Sequence, residues 1–416
     1  MEMMTRAGQR SLRDHNLCLV FSSIASADPD RPHSRADIAE ATGLTKATVS
    51  SLVTTLRDIG LVTELEPSLP HRVGRPAIPL VVARGTVAAI GLEINVDFLG
   101  LRAIDLTGEV LDESFEKVNL RQSDPAKAFA ALIRHAHALI SRLETRSVRL
   151  VGACLALPGI ADHPYGPLRL APNLGWSELD IAEIMKSAYE ALVAEVGTSP
   201  TMDVIRTLLV EGLLVDNEAN LAARTEIDRH RDKSFIYVSG EIGIGAAIVV
   251  EGKVFSGLHG WAGEIGHVVV DPNGPTCACG ATGCLEMYAG KRSLMLAAGL
   301  DPEDTMEDLL AAHTRGDPGA RAAIDRAAEA LGIALSDCIN VVDVSRVVLG
   351  GSFAPLAGIL KQGLASQIST RVLSSRWVSD LEIRPSDAGE YAAATGSALA
   401  VLDQAVHDPS SPLWGR

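Results

Sequence analysis

No stretch of this chain is apolar for long enough to span a bilayer, and its only early apolar run is interrupted by Asp14 and His15. A cytoplasmic protein with no membrane anchor, secretory leader or membrane partner is therefore expected. Cysteine is scarce, six residues in 416, and three of these (Cys18, Cys154, Cys338) stand singly in apolar runs, as small buried hydrophobes do. That usage excludes a disulfide framework and fits a reducing compartment. Charged residues are only 21% against 47% hydrophobic, which excludes a disordered chain, and the length asks for two or three domains. A basic surplus is also missing, since the net charge is −15. The deficit is uneven: residues 1–80 hold nine Lys and Arg against nine Asp and Glu, and the remainder holds 28 against 43. An acidic body repels nucleic acid, whereas a neutral head with clustered arginines does not, so local pattern must decide.

In the head, residues 1–84, three helical patterns follow one another. The first runs from about Arg10 to Ala27, with Leu12, Leu19, Val20 and Ile24 able to share a face, and Asp28-Pro29-Asp30-Arg31-Pro32 breaks it. Ser34 with Asp37 three residues on is a capping-box arrangement for a second helix, with Ile38 and Ala41 pointing inward and Gly43 as its stop. Thr45 opens a third helix, Lys46 to Ile59, with Val49, Leu52, Val53 and Leu56 on the apolar side. Two short helices joined by Gly43-Leu44 form a helix-turn-helix signature. The small polar start of the third helix (Thr45, Lys46, Thr48, Ser50, Ser51) is suited to a major groove. Two strands around Leu61–Leu65 and Ile78–Val82 make a wing, and its tip places Arg72 and Arg75 for phosphates or a minor groove. The rival reading, a three-helix dimerisation module, does not account for turn, polar helix start and basic wing occurring in this order.

The densest chemistry lies at Gly263-Glu264-Ile265-Gly266-His267 and Cys277-Ala278-Cys279-Gly280-Ala281-Thr282-Gly283-Cys284-Leu285-Glu286. His267, Cys277, Cys279 and Cys284 are a complete tetrahedral Zn2+ set with no position left for water, which points to one structural ion per chain. Glu264 and Glu286, just outside the set, read as the working groups for a small ligand rich in hydroxyls. His267 could offer one ring nitrogen to the metal and the other to that ligand.

The body, from residue 85, alternates strands and helices: Val87–Asn95, Phe98–Leu106, a strand from Val110, a helix near Pro125–Leu143, then Val148–Leu157 and more. This is an α/β body of two lobes, expected as 85–216 with 388–416 and as 217–387. Ligands in such folds sit at the carboxyl ends of strands. Asn173, Asn217 and Glu218 fall at such ends, where carboxamides and carboxylates suit vicinal sugar hydroxyls, and Trp176 could support or line the pocket. Singly, Asn217 and Glu218 read equally well as helix caps, Asn173 as a turn former and Glu264 as a surface carboxylate.

These motifs together (Pro172-Asn173-Leu174-Gly175-Trp176, Asn217 before an acid, Gly263-Glu264-Ile265-Gly266-His267 and the cysteine cluster) resemble the ROK family of repressors, open reading frames and sugar kinases. The resemblance covers nearly the whole chain and implies a winged helix followed by an actin-like or hexokinase-like body. It implies sugar contacts from Asn217, Glu218, Glu264, His267 and Glu286, and zinc on His267, Cys277, Cys279 and Cys284. It also implies a dimer or tetramer that leaves a palindromic DNA operator when a sugar or a protein partner binds. Three departures set this chain apart from the family's kinases. Glu93-Ile94-Asn95-Val96-Asp97 stands where they have a glycine-rich phosphate loop, and Glu241-Ile242 precedes Gly243-Ile244-Gly245. Glu218 occupies the position of their general base, an aspartate, and its extra methylene displaces the carboxylate. The expected function is therefore a non-enzymatic, sugar-responsive repressor of carbohydrate genes. A sugar kinase with a DNA-binding head and a docking platform for another protein remain as rivals.

Overall fold

The computed structural model describes residues 2–28, 30–66, 78–162, 164–227, 234–240, 243–376, 381–408 and 411–414, the side chains of 2–11 and 376 excepted. Helix α1 (Glu2–Ala25) buries Leu17, Val20, Phe21 and Ile24 along one stripe. Leu12 was expected on that face but is 61% exposed, because periodicity sets a helix face and not how far the neighbouring elements reach along it. Helix α2 (Arg35–Thr42) starts on a closed capping box, Ser34 N–H donating to Asp37 at 2.8 Å, and stops at Gly43 with φ 71°. Ile38 is buried, but Ala41 is exposed; the half-buried Ala39 and Leu44 pack on the core in its place. Helix α3 (Lys46–Asp58) is capped by the Thr45 hydroxyl and buries Val49, Leu52, Val53 and Leu56, as its spacing requires. Strands β1 (Val62–Glu64) and β2 (Leu80–Val82) pair antiparallel with Val62 opposite Val82. Arg72 and Arg75, expected at the tip between them, lie outside the described residues, as does Glu241.

The body opens with β3 (Val87–Ile94), β4 (Phe98–Asp105) and β5 (Val110–Lys117), an antiparallel meander. Helix α4 (Pro125–Thr145) leads to β6 (Arg149–Leu157), which runs parallel to β3. A small antiparallel sheet follows, β7 (Ile160–Ala161), β8 (Leu168–Ala171) and β9 (Trp176–Leu179), then helices α5 (Ile181–Val196) and α6 (Pro200–Ile205). Strand β10 (Leu213–Asn217) completes a five-stranded sheet of order β10-β6-β3-β4-β5. Helix α7 (Glu218–Ile227) then leads to β11 (Phe235–Gly240), β12 (Ile244–Val250) and β13 (Lys253–Val254). After α8 (Glu286–Ala289), α9 (Lys291–Ala298), α10 (Met306–Thr314) and α11 (Pro318–Val342) come β14 (Arg346–Gly351), α12 (Ala357–Arg371) and β15 (Glu382–Pro385). The second sheet has the order β13-β12-β11-β14-β15, and α13 (Ala392–His407) closes the chain.

All eight residues of β3 are buried because both faces of the first sheet are covered. Alternation sends Ala88, Ile90, Leu92 and Ile94 into one core with α4, while Val87 and Ala89 join a second core that includes α13. The approach of α13 is so close that a Cβ on Gly91 would lie 1.8 Å from the Ala394 carbonyl oxygen. The C-terminal helix thus returns to the first sheet. It also touches the head, which shares that second core. Among the described residues no helix is long and apolar enough to cross a membrane.

Candidate functional site

Strands β3, β6 and β10 run parallel, so their carboxyl ends reach the same edge of the sheet. Asn95, Pro158-Gly159 and Asn217-Glu218 emerge there and form one wall of a cleft. Gly243, Ile244, Glu264, His267 and Glu286 form the facing wall, and Asn173 arrives from the β8–β9 turn. The cleft spans about 710 Å³, open solvent included. All six residues expected at a sugar site, Asn173, Asn217, Glu218, Glu264, His267 and Glu286, line it.

Each is held by local chemistry. Asn217 accepts from the Ala219 N–H at 2.8 Å, capping α7, and donates through Nδ2 to the Gly159 carbonyl at 2.9 Å. The cap reading and the lining reading of Asn217 are therefore both satisfied by one carboxamide. Glu218 starts α7 and accepts from Asn95 Nδ2 at 3.2 Å. Glu286 starts α8 and accepts from the Ile244 N–H at 3.3 Å. Burial pushes the Glu264 carboxyl above the usual range, opposed by nearby His267 and reinforced by Glu286. Trp176 supports the site from behind: it is buried, and its indole donates to the Ser123 carbonyl at 2.8 Å.

Two contributors escaped the sequence reading as site residues. Asn95 was seen only as part of a lost phosphate loop, yet it lines the cleft and binds Glu218. Gly243 leaves the space in which Asn173 and Glu286 approach; a Cβ there would lie 2.5 Å from Glu286 Oε2 and 3.0 Å from Asn173 Nδ2. The one available signal was the position of Asn95 just past a buried strand, where a polar residue is exposed to ligand.

His267, Cys277, Cys279 and Cys284 bring four ligand atoms within 4.8 Å of one another. His267 Nδ1 lies 3.8 Å from Cys277 Sγ, and Cys279 and Cys284 Sγ are 3.6 Å apart. Zinc–thiolate bonds of roughly 2.3 Å in a tetrahedron require edges of about 3.7 Å, so the cluster fits such an ion. With Nδ1 toward the thiols, Nε2 on the opposite edge of the ring is left for the cleft. The knot is tightened at Gly283 (φ 79°), where a Cβ would lie 1.6 Å from the Asp271 carbonyl oxygen.

A second cavity adjoins the first, about 1930 Å³ with open solvent, and shares Asn95 and Glu218 with it. Asp97, Glu307 and Glu390 line it together with Lys117 and Lys291. In the head, Thr45, Lys46, Ser50 and Ser51 are exposed on α3 and Thr48 is half-buried, its hydroxyl 2.9 Å from that of Thr45. Arg35 and Arg57 both pair with Glu64, at 2.6 and 3.2 Å, which ties β1 to α2 and α3.

The family model described as ROK family matches residues 90–404. The chain belongs to the ROK family. An IclR helix-turn-helix domain model matches residues 24–66 of this ROK protein, across α2, α3 and β1. A xylose repressor of Bacillus subtilis (strain 168) is 28% identical over 405 residues, covering 96% of this chain and 98% of the relative. The DNA-binding transcriptional dual regulator NagC of Escherichia coli (strain K12) is 26% identical and covers 89% and 90%. Among solved structures, a ROK family transcriptional regulator described as a homolog of the E. coli MLC protein superposes with a TM-score of 0.73 at 24% identity, covering 96% and 97%. A ROK family glucokinase from Streptomyces griseus, in complex with glucose and AMPPNP, gives 0.60 at 20% identity and covers 75% of this chain. These likenesses fix a ROK sugar-kinase-like body behind an N-terminal helix-turn-helix head.

Proposed function

We propose that this ROK protein is a sugar-responsive transcriptional repressor. The observation that carries the reading is the full-length match to repressors, which takes in the DNA-binding head and the polar cleft together. The head is residues 1–84; residues 85–216 with 388–416 form one lobe and 217–387 the other. Asn173, Asn217, Glu218, Glu264, His267 and Glu286 hold the hydroxyls of the sugar. A zinc ion on His267, Cys277, Cys279 and Cys284 pins the loop that carries two of them, supplying structure and no reaction. Thr45, Lys46, Thr48, Ser50, Ser51, Arg72 and Arg75 meet the operator, and a homo-oligomer sets two heads on a palindrome. Phosphoryl transfer is absent, since the turn after β3 has no glycine and Glu218 is engaged by Asn95.

The sugar acts by preferring the conformation that fits DNA poorly; equal affinity for both states would shift nothing. The relatives named for xylose and N-acetylglucosamine make these two sugars the first to try. The experiment measures binding of the full chain to DNA flanking its own gene, with each sugar, its phosphate ester, or ATP and magnesium. Release of the DNA by one sugar is expected. Retention of the DNA with every sugar, or turnover of ATP with any of them, would overturn the reading.

A further inference from the structure

The head is not tethered to the body by a linker alone. One apolar core runs from Phe21 in α1, through Val401 and Leu402 in α13, to Leu221 in α7 and Tyr237 in β11. Its outer end is the chain's last described turn. Leu413 and Trp414 are buried there, and the Trp414 ring meets Phe21 edge-on, centroids 5.8 Å apart at 84°. That turn is held at both sides: the Trp414 indole donates to the Asp408 carbonyl at 2.7 Å, and Arg149 donates to the Pro412 carbonyl at 3.1 Å.

Its inner end is the cleft. Helix α7 begins at Glu218 in the cleft wall and ends near Glu226, a fully buried carboxylate that pairs with Arg384 at 2.8 Å and accepts from Ser386 at 2.6 Å. Between these ends α7 lies backbone to backbone on α13, where a Cβ on Gly396 would stand 1.7 Å from the Leu221 carbonyl oxygen. Contacts this close leave no soft side chains to absorb a displacement, so α7 and α13 must move together. A second tie reaches the start of α13: Glu93 accepts from the Ala394 N–H at 3.0 Å, and Asn95, two residues on, binds Glu218 at 3.2 Å.

We propose that α13 and its terminal turn, ending in Trp414, are the mechanical link that carries the state of the cleft to the DNA-binding head. The link rests on the sugar-responsive reading above. A ligand that shifts the start of α7 shifts α13 with it, and the Trp414–Phe21 contact passes that shift to α1.

The test compares the full chain with Trp414→Ala and Trp414→Phe, using D-xylose and N-acetyl-D-glucosamine as probes. Sugar affinity is measured by calorimetry with and without operator, and operator affinity with and without sugar. In the native chain the two ligands weaken each other by one common factor, as linkage demands. Trp414→Ala should keep each affinity within about twofold when measured alone, while that common factor falls by about tenfold or more; Trp414→Phe should restore it. An undiminished factor in Trp414→Ala overturns the link and leaves the repressor reading standing. A native chain in which neither sugar moves operator affinity overturns both. Hydrogen exchange of the native chain gives a check that needs no variant. A sugar added without DNA should change protection in residues 392–408 and 14–25, and no change there overturns the link.

Discussion

Glu264 is half-buried and Glu93 fully buried, and the two acids do different work. Glu264 faces the cleft beside His267 and Glu286, where a carboxylate can accept from two sugar hydroxyls. Hydrogen bonds to a charged group contribute about 1.5–3 kcal/mol, so Glu264→Ala should weaken sugar binding roughly tenfold to a hundredfold or more while operator affinity stays as it was. Calorimetry and operator titration check this; a variant released from DNA at the native sugar concentration would show that the pocket is misplaced. Glu93 instead faces α13, and burial pushes its carboxyl up to about 7, against the Ala394 N–H, Asn95 and Arg102, which all favour the charged form. The folded value lies above the ordinary 4.5, so between the two the folded chain holds a proton that the unfolded chain has released. Stability from this residue is therefore intact below about 4.5, falls as the pH rises to about 7, and is flat beyond, with a total of roughly 3 kcal/mol. Glu93→Gln keeps an acceptor for Ala394 and should raise the melting temperature at pH 8 while changing it little at pH 5. Equal destabilisation at both values would mean that Glu93 is ionised and valued for its charge.

At the scale of elements, the His/Cys cluster proposed to hold zinc lies in the segment that carries Glu264 and Glu286 to the cleft. Residues 267–286 contain few large apolar side chains; Cys277, Cys279, Cys284 and His267 come together there, with short bridges such as Val269 to Cys284. The Leu285 N–H then donates to the Val268 carbonyl at 2.9 Å and sets Glu286 at the start of α8. Chelation should therefore lower the melting temperature and abolish sugar binding, while the head still binds DNA; restored zinc should return the response, and unchanged sugar affinity in the chelated chain would refute the role of the knot. These parts were legible in the sequence because their signals are local. Caps at Ser34 and Thr45, the apolar stripe of α3 and the cysteine spacing all act within a few residues. Leu12 and Ala41 were misjudged because their burial depends on how far other elements extend. Asn95 was missed as a site residue because its partner, Glu218, is 123 positions away, and no pattern along the chain encodes such a meeting. For the same reason the sequence leaves open whether the C-terminal helix packs on the first lobe or against the head; α13 does both.

For the whole molecule, the question is which of its two adjoining cavities still takes a ligand. Segments far apart in the chain meet here: the Trp261 indole donates to Asp162 at 3.2 Å, at a separation of 99 residues. Glycines 257, 260 and 263, all at positive φ, let the Trp261 segment turn back toward Glu264. The second cavity is lined by more carboxylates than lysines. Its polar wall offers carboxylates from Asp97, Glu307 and Glu390 against two lysines, a lining that would repel a polyphosphate. A ligand at a hundred times its dissociation constant adds roughly 2.7 kcal/mol to stability. Thermal unfolding of the zinc-loaded chain should therefore rise by several degrees with the effector sugar and stay unchanged with ATP and magnesium, alone or on top of the sugar. If ATP raised the midpoint, the acidic lining would have to be neutralised by bound cations and the kinase reading of the body would return; a rise with the sugar alone would leave the first cleft as the ligand site.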